Sequence, residues 1–300
     1  RQSFNEIAVT LLDIGVGSTV LYWLLLKRKF LHSDLTKPIL IFITTLLISL
    51  IVNVTRLSIN EFFVSFLYLL RWVFYALLYF IVLDLSSLKK KIEGAMIIGG
   101  EILVIVGYVL YFFYPDLRNL RYAGWDEHLY RMFTSFLDPN FAGIFFVLYL
   151  LFLFDKLFNK PSLVIRLLSF ATLIAIVLTF SRSAYIALVI GLTTLLFLKG
   201  RKLIAAILTV LFVFTVTVTT QFIPKTEGTN LLRIASGEAR LDSIRNALTI
   251  FKDYPIFGIG FNSYRYAQRD YGFLDESKMI VHSGAGTDNS FLFILATSGV

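Results

Sequence analysis

The chain has 300 residues, of which 57% are hydrophobic and only 16% charged, whereas a soluble domain carries about a quarter charged residues. This composition excludes an ordinary soluble protein and indicates a polytopic membrane protein. The net charge of +8 is explained by basic cytoplasmic loops, so no nucleic-acid partner is expected, and the absence of cysteine with only three histidines predicts no disulfide and no metal site.

Long apolar stretches recur along the chain, and each is close to the roughly 20 residues that a helix needs to cross a bilayer core. The predicted spans are 7–26, 38–55, 62–83, 92–114, 139–158, 162–180, 183–198 and 203–223, with a further span starting near 290. We therefore predict an all-α membrane protein with a transmembrane bundle over 1–223, an external loop domain over 224–289 and the start of another span over 290–300. The chain begins without methionine and stops inside an apolar run, and we expect it to be a fragment of a longer protein.

Lysine and arginine are concentrated in alternate connections between these spans. The strongly basic connections are 27–37, 89–91, 155–160 and 199–202. Because short cytoplasmic loops are enriched in Lys and Arg, we predict that these lie in the cytoplasm. The remaining connections, which include the long segment 224–289, are predicted to face outward.

Three charged residues lie inside the early spans. Arg71 and Glu101 fall at similar depths in neighbouring antiparallel helices, and a charge inside the bilayer is costly unless it is paired. We therefore predict a structural ion pair between Arg71 and Glu101. Asp13 lies near an outer helix end, where solvation is expected.

Two segments on the predicted outer side carry polar residues at the mouths of spans. In "FTSFLDPNFAG", Asp138 precedes a proline in the first helical turn, which suits a helix cap, and it also places a carboxylate near the amide of Asn140. In "TFSRSAYIAL", Arg182 lies in a short polar break between two spans. Arg182 is either an interfacial anchor or a cation whose planar guanidinium suits phosphate.

The external segment contains the stretch "GEARLDSIRNALTIFKDYP". Its apolar residues at 241, 244, 248 and 251 are three and four apart, which predicts an amphipathic helix that ends before Pro255. Glycines at 258 and 260 suit a tight turn. Three arginines lie on or before the helix, either as a solvated surface or as binding charges: Arg233, Arg240 and Arg245.

The last apolar run is preceded by "HSGAGTDNSFLF", which contains His282, Asp288 and Asn289. Asp288 and Asn289 stand where residues that cap a helix are preferred. The same residues also lie at the predicted outer mouth of a span, so capping and chemistry are both open here.

Three of these stretches, in this order, resemble the O-antigen ligase and polymerase family of bacterial inner-membrane glycosyltransferases. "LTFSRSAYIALVIGL" is similar to the family's Ser-Arg-small motif, and "RLDSIRNALTIFKDYPIFGIGFNSY" to the arginine, helix and Pro-x-x-Gly-x-Gly stretch of its large external loop. "DNSFLFILATSGV" is similar to its His-Asn motif before the next span, and "DPNFAG" to a weaker Pro-Asn-small element. The resemblance covers roughly residues 130 to 300.

The resemblance implies a helical bundle of the GT-C glycosyltransferase class in the bacterial inner membrane. It implies transfer of a glycan from an undecaprenyl-pyrophosphate carrier to an acceptor hydroxyl on the outer face, with no metal or other cofactor and with a chain-length regulator and a flippase as further partners. It assigns the pyrophosphate to Arg182 and Arg240. The residues expected to support them are Asp138, Asn140, Arg245 and Asn289.

One departure from the family pattern concerns the base that activates the acceptor. The family's usual histidine is Asp288 here, which makes Asp288 the candidate base and His282 the reserve. A histidine suits general-base chemistry near neutral pH, and an aspartate does so when burial raises its pKa. Because the histidine is more regular among the family's ligases, its replacement favours a polymerase.

Three functions follow as hypotheses. The first is polymerisation of lipid-linked repeat units into a surface polysaccharide, and the second is ligation of a finished glycan to lipid A-core or to a protein. The third is a transporter or flippase, but transporters usually show repeat symmetry and charges near the midplane. Here the arginines are concentrated in one external loop, which favours surface chemistry.

Overall fold

The computed structural model describes residues 2–4, 7–26, 32–118, 128–159, 161–222, 226, 229–230, 235–274, 286–287 and 289–300. Within these ranges helices dominate the regular secondary structure and two short strands accompany them, which confirms the predicted all-α class. The helices are α1 (Leu11–Leu25), α2 (Thr36–Val52), α3 (Ile59–Asp84), α4 (Lys89–Phe113), α5 (Pro139–Asn159), α6 (Leu163–Leu178), α7 (Arg182–Leu198), α8 (Lys202–Phe222), α9 (Ala235–Asp253), α10 (Tyr264–Asp270) and α11 (Ser290–Ser298).

The strands change the start of the first apolar element. β1 (Gln2–Phe4) and β2 (Ile7–Val9) pair antiparallel, with Ser3 opposite Ala8. Helix α1 therefore begins at Leu11, whereas the predicted span began at residue 7. Its start is set by Thr10, whose hydroxyl accepts from the Asp13 amide while the Asp13 carboxylate accepts from the Thr10 amide, a capping box that satisfies donors at the helix end.

Three helical segments of the described chain are long and apolar enough to cross a membrane by length and composition: Ile59–Asp84, Ser86–Phe113 and Pro139–Asn159. Shorter apolar helices accompany them at Leu11–Leu25, Thr36–Val52, Leu163–Leu178, Arg182–Leu198 and Ile207–Thr219. Many large apolar side chains on these helices are exposed, such as Ile98 and Phe170, at 63% each. Contiguous apolar surface of this kind suits contact with lipid.

The chain forms two compact units, one of residues 1–89 with 234–300 and the other of residues 90–233. These units are defined by packing within the chain. The division into a membrane bundle, an external loop domain and a further span concerns the position of a membrane, so it remains a prediction.

In the first unit, α3 packs against α1 and α2, and α11 packs against α2, α9 and α10. The segment after the predicted external loop therefore joins the early helices and the loop helices in one body. In the second unit, α5 packs against α6 and α7, and α7 packs against α8. Its core contains fully buried side chains of α5, α6 and α7, such as Phe146, Ile176 and Leu188.

The ion pair predicted between Arg71 and Glu101 joins residues of different units and remains a prediction. Within the first unit, Arg71 pairs with Asp13, with 3.0 Å between Nε and Oδ1, and the Tyr75 hydroxyl donates to the same carboxylate at 3.1 Å. Asp13 is therefore paired and not merely solvated. The depth of a residue does not tell which helices touch, and here α1 packs against α3.

The amphipathic helix predicted in the external segment is present as α9, which ends at Asp253 shortly before Pro255. The buried face differs from the predicted one. Leu241 and Leu248 are 53% and 38% exposed, whereas Ala247 and Ile250 are buried. Helix α11 packs against α9, and this contact decides the buried side.

Candidate functional site

Arg182 is the first residue of α7, and the preceding Ser181 is the N-cap whose hydroxyl accepts from the Ala184 amide at 3.4 Å. Arg182 is half-buried and Ser183 is exposed. A cation at the N-terminus of a helix gains nothing from the helix dipole, which favours anions there. The guanidinium and the positive end of the helix dipole therefore both favour an anionic ligand.

A second arginine, Arg131, holds the segment that carries Arg182. Arg131 is only 1% exposed. Its Nε donates to the carbonyl of Thr179 at 2.9 Å, and its Nη2 donates to Oδ1 of Asn140 at 2.9 Å and to the carbonyl of Phe180 at 3.3 Å. Its Nη1 lies 3.3 Å from Nδ1 of His128. One guanidinium thus links the loop before α5, the start of α5 and the turn between α6 and α7.

The carbonyls that Arg131 contacts lie at the C-terminal end of α6. That end of a helix carries partial negative charge, so a buried cation is stabilised there. Phe180 has a left-handed backbone with φ of 49°, which costs about 1–3 kcal/mol and requires support from its surroundings. Arg131 provides that support, because its bonds to Thr179 and Phe180 fix the turn.

Asn140 completes the connection on the side of α5. Its Oδ1 accepts from Nη2 of Arg131 and, at 3.0 Å, from the hydroxyl of Ser181. The Ser181 hydroxyl is also 3.1 Å from that of Ser183. The two residues that flank Arg182 are therefore held by a network that ends on Asn140 and Arg131.

Asp138 serves as a helix cap. Its Oδ1 accepts from the backbone amides of Asn140 at 2.6 Å and Phe141 at 3.1 Å. These bonds satisfy donors at the start of α5, as the capping interpretation requires. They fix Asn140 and so act on the Arg182 segment only indirectly.

Gly143 explains why a small residue follows Pro-Asn in this motif. A Cβ at Gly143 would lie 2.7 Å from Cβ of Ala184 and 3.1 Å from Oγ1 of Thr179. The first turns of α5 and α7 therefore approach one another at a point where no side chain fits. This approach brings Asn140 within reach of Ser181.

Three further predicted site residues lie in the described part of the first unit: Arg240, Arg245 and Asn289. Arg240 is exposed on α9. Arg245 is also exposed and pairs with Asp242 at 3.2 Å, one turn away. Asn289 caps α11, since its side chain accepts from the amides of residues 291 and 292 at 2.9 and 3.3 Å. The capping interpretation accounts for the contacts of Asn289.

His282, Asp288 and Arg233 lie outside the described residues. The candidate base and its reserve therefore remain predictions. The structure brings Asn140 together with the residues beside Arg182. The meeting of Arg182 with Arg240, which lie in different units, also remains a prediction.

The Pro-x-x-Gly-x-Gly stretch has a structural role in the first unit. Gly258 has φ of 60°, and a Cβ there would lie 2.4 Å from the carbonyl carbon of Thr297. The amides of Ile259 and Gly260 donate to the carbonyls of Ala296 at 3.1 Å and Thr297 at 3.0 Å. The glycines thus let two backbones touch and join the end of α9 to the end of α11.

Sequence analysis did not identify Arg131. It stands nine residues before Asn140, in a segment predicted to face outward that also contains Arg118 and Arg121, so no local signal distinguishes it. What it contacts depends on the packing of α5 against α6 and α7.

The apolar helices define a helical membrane protein. Residues 167–300 match the family model described as O-antigen ligase, which confirms the resemblance over this part of the chain. The match begins within α6 and includes Arg182, α9 and α11, whereas Arg131 and Asn140 precede it. No curated protein and no solved structure matches the chain.

Proposed function

We propose that this protein is a glycosyltransferase that polymerises undecaprenyl-pyrophosphate-linked oligosaccharide repeat units on the outer face of the bacterial inner membrane. The observation that carries the proposal is Arg182 at the N-terminus of α7, between Ser183 and Ser181, whose hydroxyls are bonded to each other. The Ser181 hydroxyl also donates to Asn140, which in turn accepts from Arg131. A pyrophosphate leaving group gains negative charge as the glycosidic bond breaks. A guanidinium at the positive end of a helix dipole stabilises that charge in the transition state.

The contacts within each unit support the predicted sidedness. At the predicted outer side of the first unit, Arg269 of α10 pairs with Glu61 at the start of α3 at 2.8 Å. At the predicted cytoplasmic side of the second unit, Lys199 pairs with Asp155 at 2.9 Å. Each ion pair joins two segments that the charge pattern assigns to the same side of the membrane.

The reaction requires a base as well as cations. In the proposed mechanism the acceptor hydroxyl attacks the anomeric carbon, the bond to the pyrophosphate breaks, and the hydroxyl proton passes to Asp288, with His282 in reserve. Arg240 supplies a second positive charge to the leaving group. The bundle is proposed to belong to the GT-C class, and the chain-length regulator and flippase to be partners.

The second candidate function is that of a ligase, and the description of the matching family favours it. A ligase would use the same donor and the same departing pyrophosphate but would transfer a finished glycan to lipid A-core or to a protein. The two functions differ in the acceptor. They are therefore separated by the product and not by the donor site.

The test is reconstitution in proteoliposomes with an undecaprenyl-pyrophosphate oligosaccharide. A ladder of glycan lengths on one lipid end is expected for the polymerase. A single transfer that requires added lipid A-core or acceptor protein would identify the ligase. Movement of unchanged substrate across the bilayer, without transfer, would overturn both.

Arg182→Ala tests the site in the same assay. We expect turnover to fall by about 10²–10³-fold, the usual effect of removing one preorganised charge-stabilising donor. Arg201→Ala is the matched control, because Arg201 is an exposed arginine in a loop predicted to be cytoplasmic. Near-normal turnover of the Arg182 variant would remove the pyrophosphate assignment.

A further inference from the structure

An apolar groove with a volume of about 310 Å³ lies between α7 and α8. Phe212 is 5% exposed and forms part of its floor, whereas Ile186 and Ile190 are both 61% exposed at its edge. The groove is therefore open along the surface of the second unit. Its lining consists of Tyr185, Ile186, Val189 and Ile190 of α7 and Phe212, Val213, Val216 and Thr217 of α8.

The few polar groups of the lining are already engaged. The Tyr185 hydroxyl donates to the carbonyl of Val177, and the Thr217 hydroxyl donates to the carbonyl of Val213 at 2.9 Å. The ring of Tyr185 packs edge-on against Phe212, with 5.4 Å between ring centroids. The groove thus presents methyl groups and ring surfaces, which suit a hydrocarbon occupant.

The groove begins one helical turn from Arg182. At about 100° of rotation per residue, Arg182 lies on the same side of α7 as the four residues of that helix that line the groove. From Arg182 to Ile190 the helix rises about 12 Å. A cation therefore stands at one end of an apolar channel that follows the helix axis.

We propose that this groove binds the first isoprene units of the lipid carrier while Arg182 holds its pyrophosphate. This inference rests on the proposed function, which assigns the pyrophosphate to Arg182. A guanidinium at the end of an apolar groove is complementary to an amphiphile with an anionic head and a hydrocarbon tail. The groove then aligns the carrier along α7 and places the glycosyl phosphate bond at the start of the helix.

The groove contributes to binding through close packing and not through the hydrophobic effect. Membrane lipid tails are as apolar as the lining side chains, so there is little hydrophobic gain when one replaces the other. What the groove supplies is shape, since a fixed set of side chains packs against the branched chain. Filling it should therefore raise the KM for long carriers by about tenfold, which corresponds to about 1.4 kcal/mol.

The test uses one tryptophan substitution in the groove and one outside it. Val213→Trp fills the groove at a side chain that is 56% exposed, and Val210→Trp is the control at a side chain of α8 that is 68% exposed and lies outside the lining. Each variant is assayed with two donors that share glycan and pyrophosphate, one long donor on undecaprenol and one on a methyl group, which has no isoprene unit to enter the groove. Val213→Trp should raise the KM only for the long donor, and Val210→Trp should change neither.

A second measurement does not depend on turnover. An undecaprenyl pyrophosphate with a photoreactive group in its first isoprene units should label peptides of α7 and α8 in the wild type, and Val213→Trp should reduce this labelling. Equal KM changes for both donors overturn the groove, as does equally efficient labelling by a photoreactive phospholipid. If the wild type transfers no glycan with any donor, the proposed function fails. The labelling experiment then tests separately whether the lipid carrier binds in the groove.

Discussion

At the scale of single residues, the central feature is a buried arginine, Arg131, that positions the half-buried Arg182. Arg131 contacts its partners through three different guanidinium nitrogens. A lysine carries the same charge but donates from a single point, so it cannot reproduce this planar fork. The charge and the geometry of Arg131 can therefore be separated by substitution.

We predict that Arg131→Lys lowers turnover while leaving the binding of the donor lipid nearly unchanged. The turn before Arg182 then loses hydrogen bonds from Arg131, and each buried acceptor left unsatisfied costs about 1–3 kcal/mol. The measurement is kcat and KM in proteoliposomes, compared at equal folded fraction by thermal unfolding in detergent. A purely structural role would lower the melting temperature and leave the kcat of the folded fraction unchanged, and that result would contradict the positioning role.

At the scale of elements, close contact between backbones explains the position of Gly258 but not that of Gly272. Gly258 and Gly272 both have left-handed backbones, with φ of 60° and 70°. A Cβ at Gly258 would collide with the backbone of Thr297, whereas a Cβ at Gly272 would have no atom within 4 Å. A non-glycine residue at either position would pay the cost of a left-handed backbone. Only at position 258 would its Cβ also collide with another part of the backbone.

We predict that Gly272→Ala destabilises the protein by about 1–2 kcal/mol, the cost of a left-handed non-glycine residue. Gly258→Ala should destabilise it further, because the carbonyl of Thr297 must move and the hydrogen bonds beside it are lost. The measurement is the unfolding midpoint of both variants in the same detergent. Equal midpoints would show that α11 does not depend on the close approach.

Helix α9 shows how far local sequence patterns predict structure. Hydrophobic spacing located α9 correctly, because amphipathic periodicity is a property of the stretch itself. It misplaced the buried face, because Leu241 and Leu248 are more apolar than Ala247 yet α11 covers Ala247. The choice of partner helix is a tertiary event that local spacing does not encode.

At the scale of the whole molecule, the charge pattern makes a prediction about sidedness that the chain is well suited to test. It has no cysteine, so single cysteines can be introduced without removing any. Thr55, Thr249 and Ser87 are exposed positions. Thr55 is the last residue of a predicted span, at the end expected to face outward, and Thr249 falls in the segment predicted to lie outside. Ser87 falls in a turn predicted to be cytoplasmic.

We predict that Thr55→Cys and Thr249→Cys react with a membrane-impermeant maleimide in intact spheroplasts and that Ser87→Cys reacts only after lysis. The reason is that short loops rich in Lys and Arg are retained in the cytoplasm. Opposite labelling of Thr55→Cys and Thr249→Cys would contradict the topology. Labelling of Ser87→Cys in intact spheroplasts would invert it.

By itself the sequence determined that the chain is helical and apolar, where its long helices lie, and that Arg182 stands at a break between two of them. These properties depend on composition and on periodicity over short distances. Only the tertiary structure decided that Arg71 pairs with Asp13 and that Arg131 holds the turn before Arg182. Those contacts join residues whose proximity depends on which helices pack together, and α5 meets α6 and α7 through a core that no local pattern specifies.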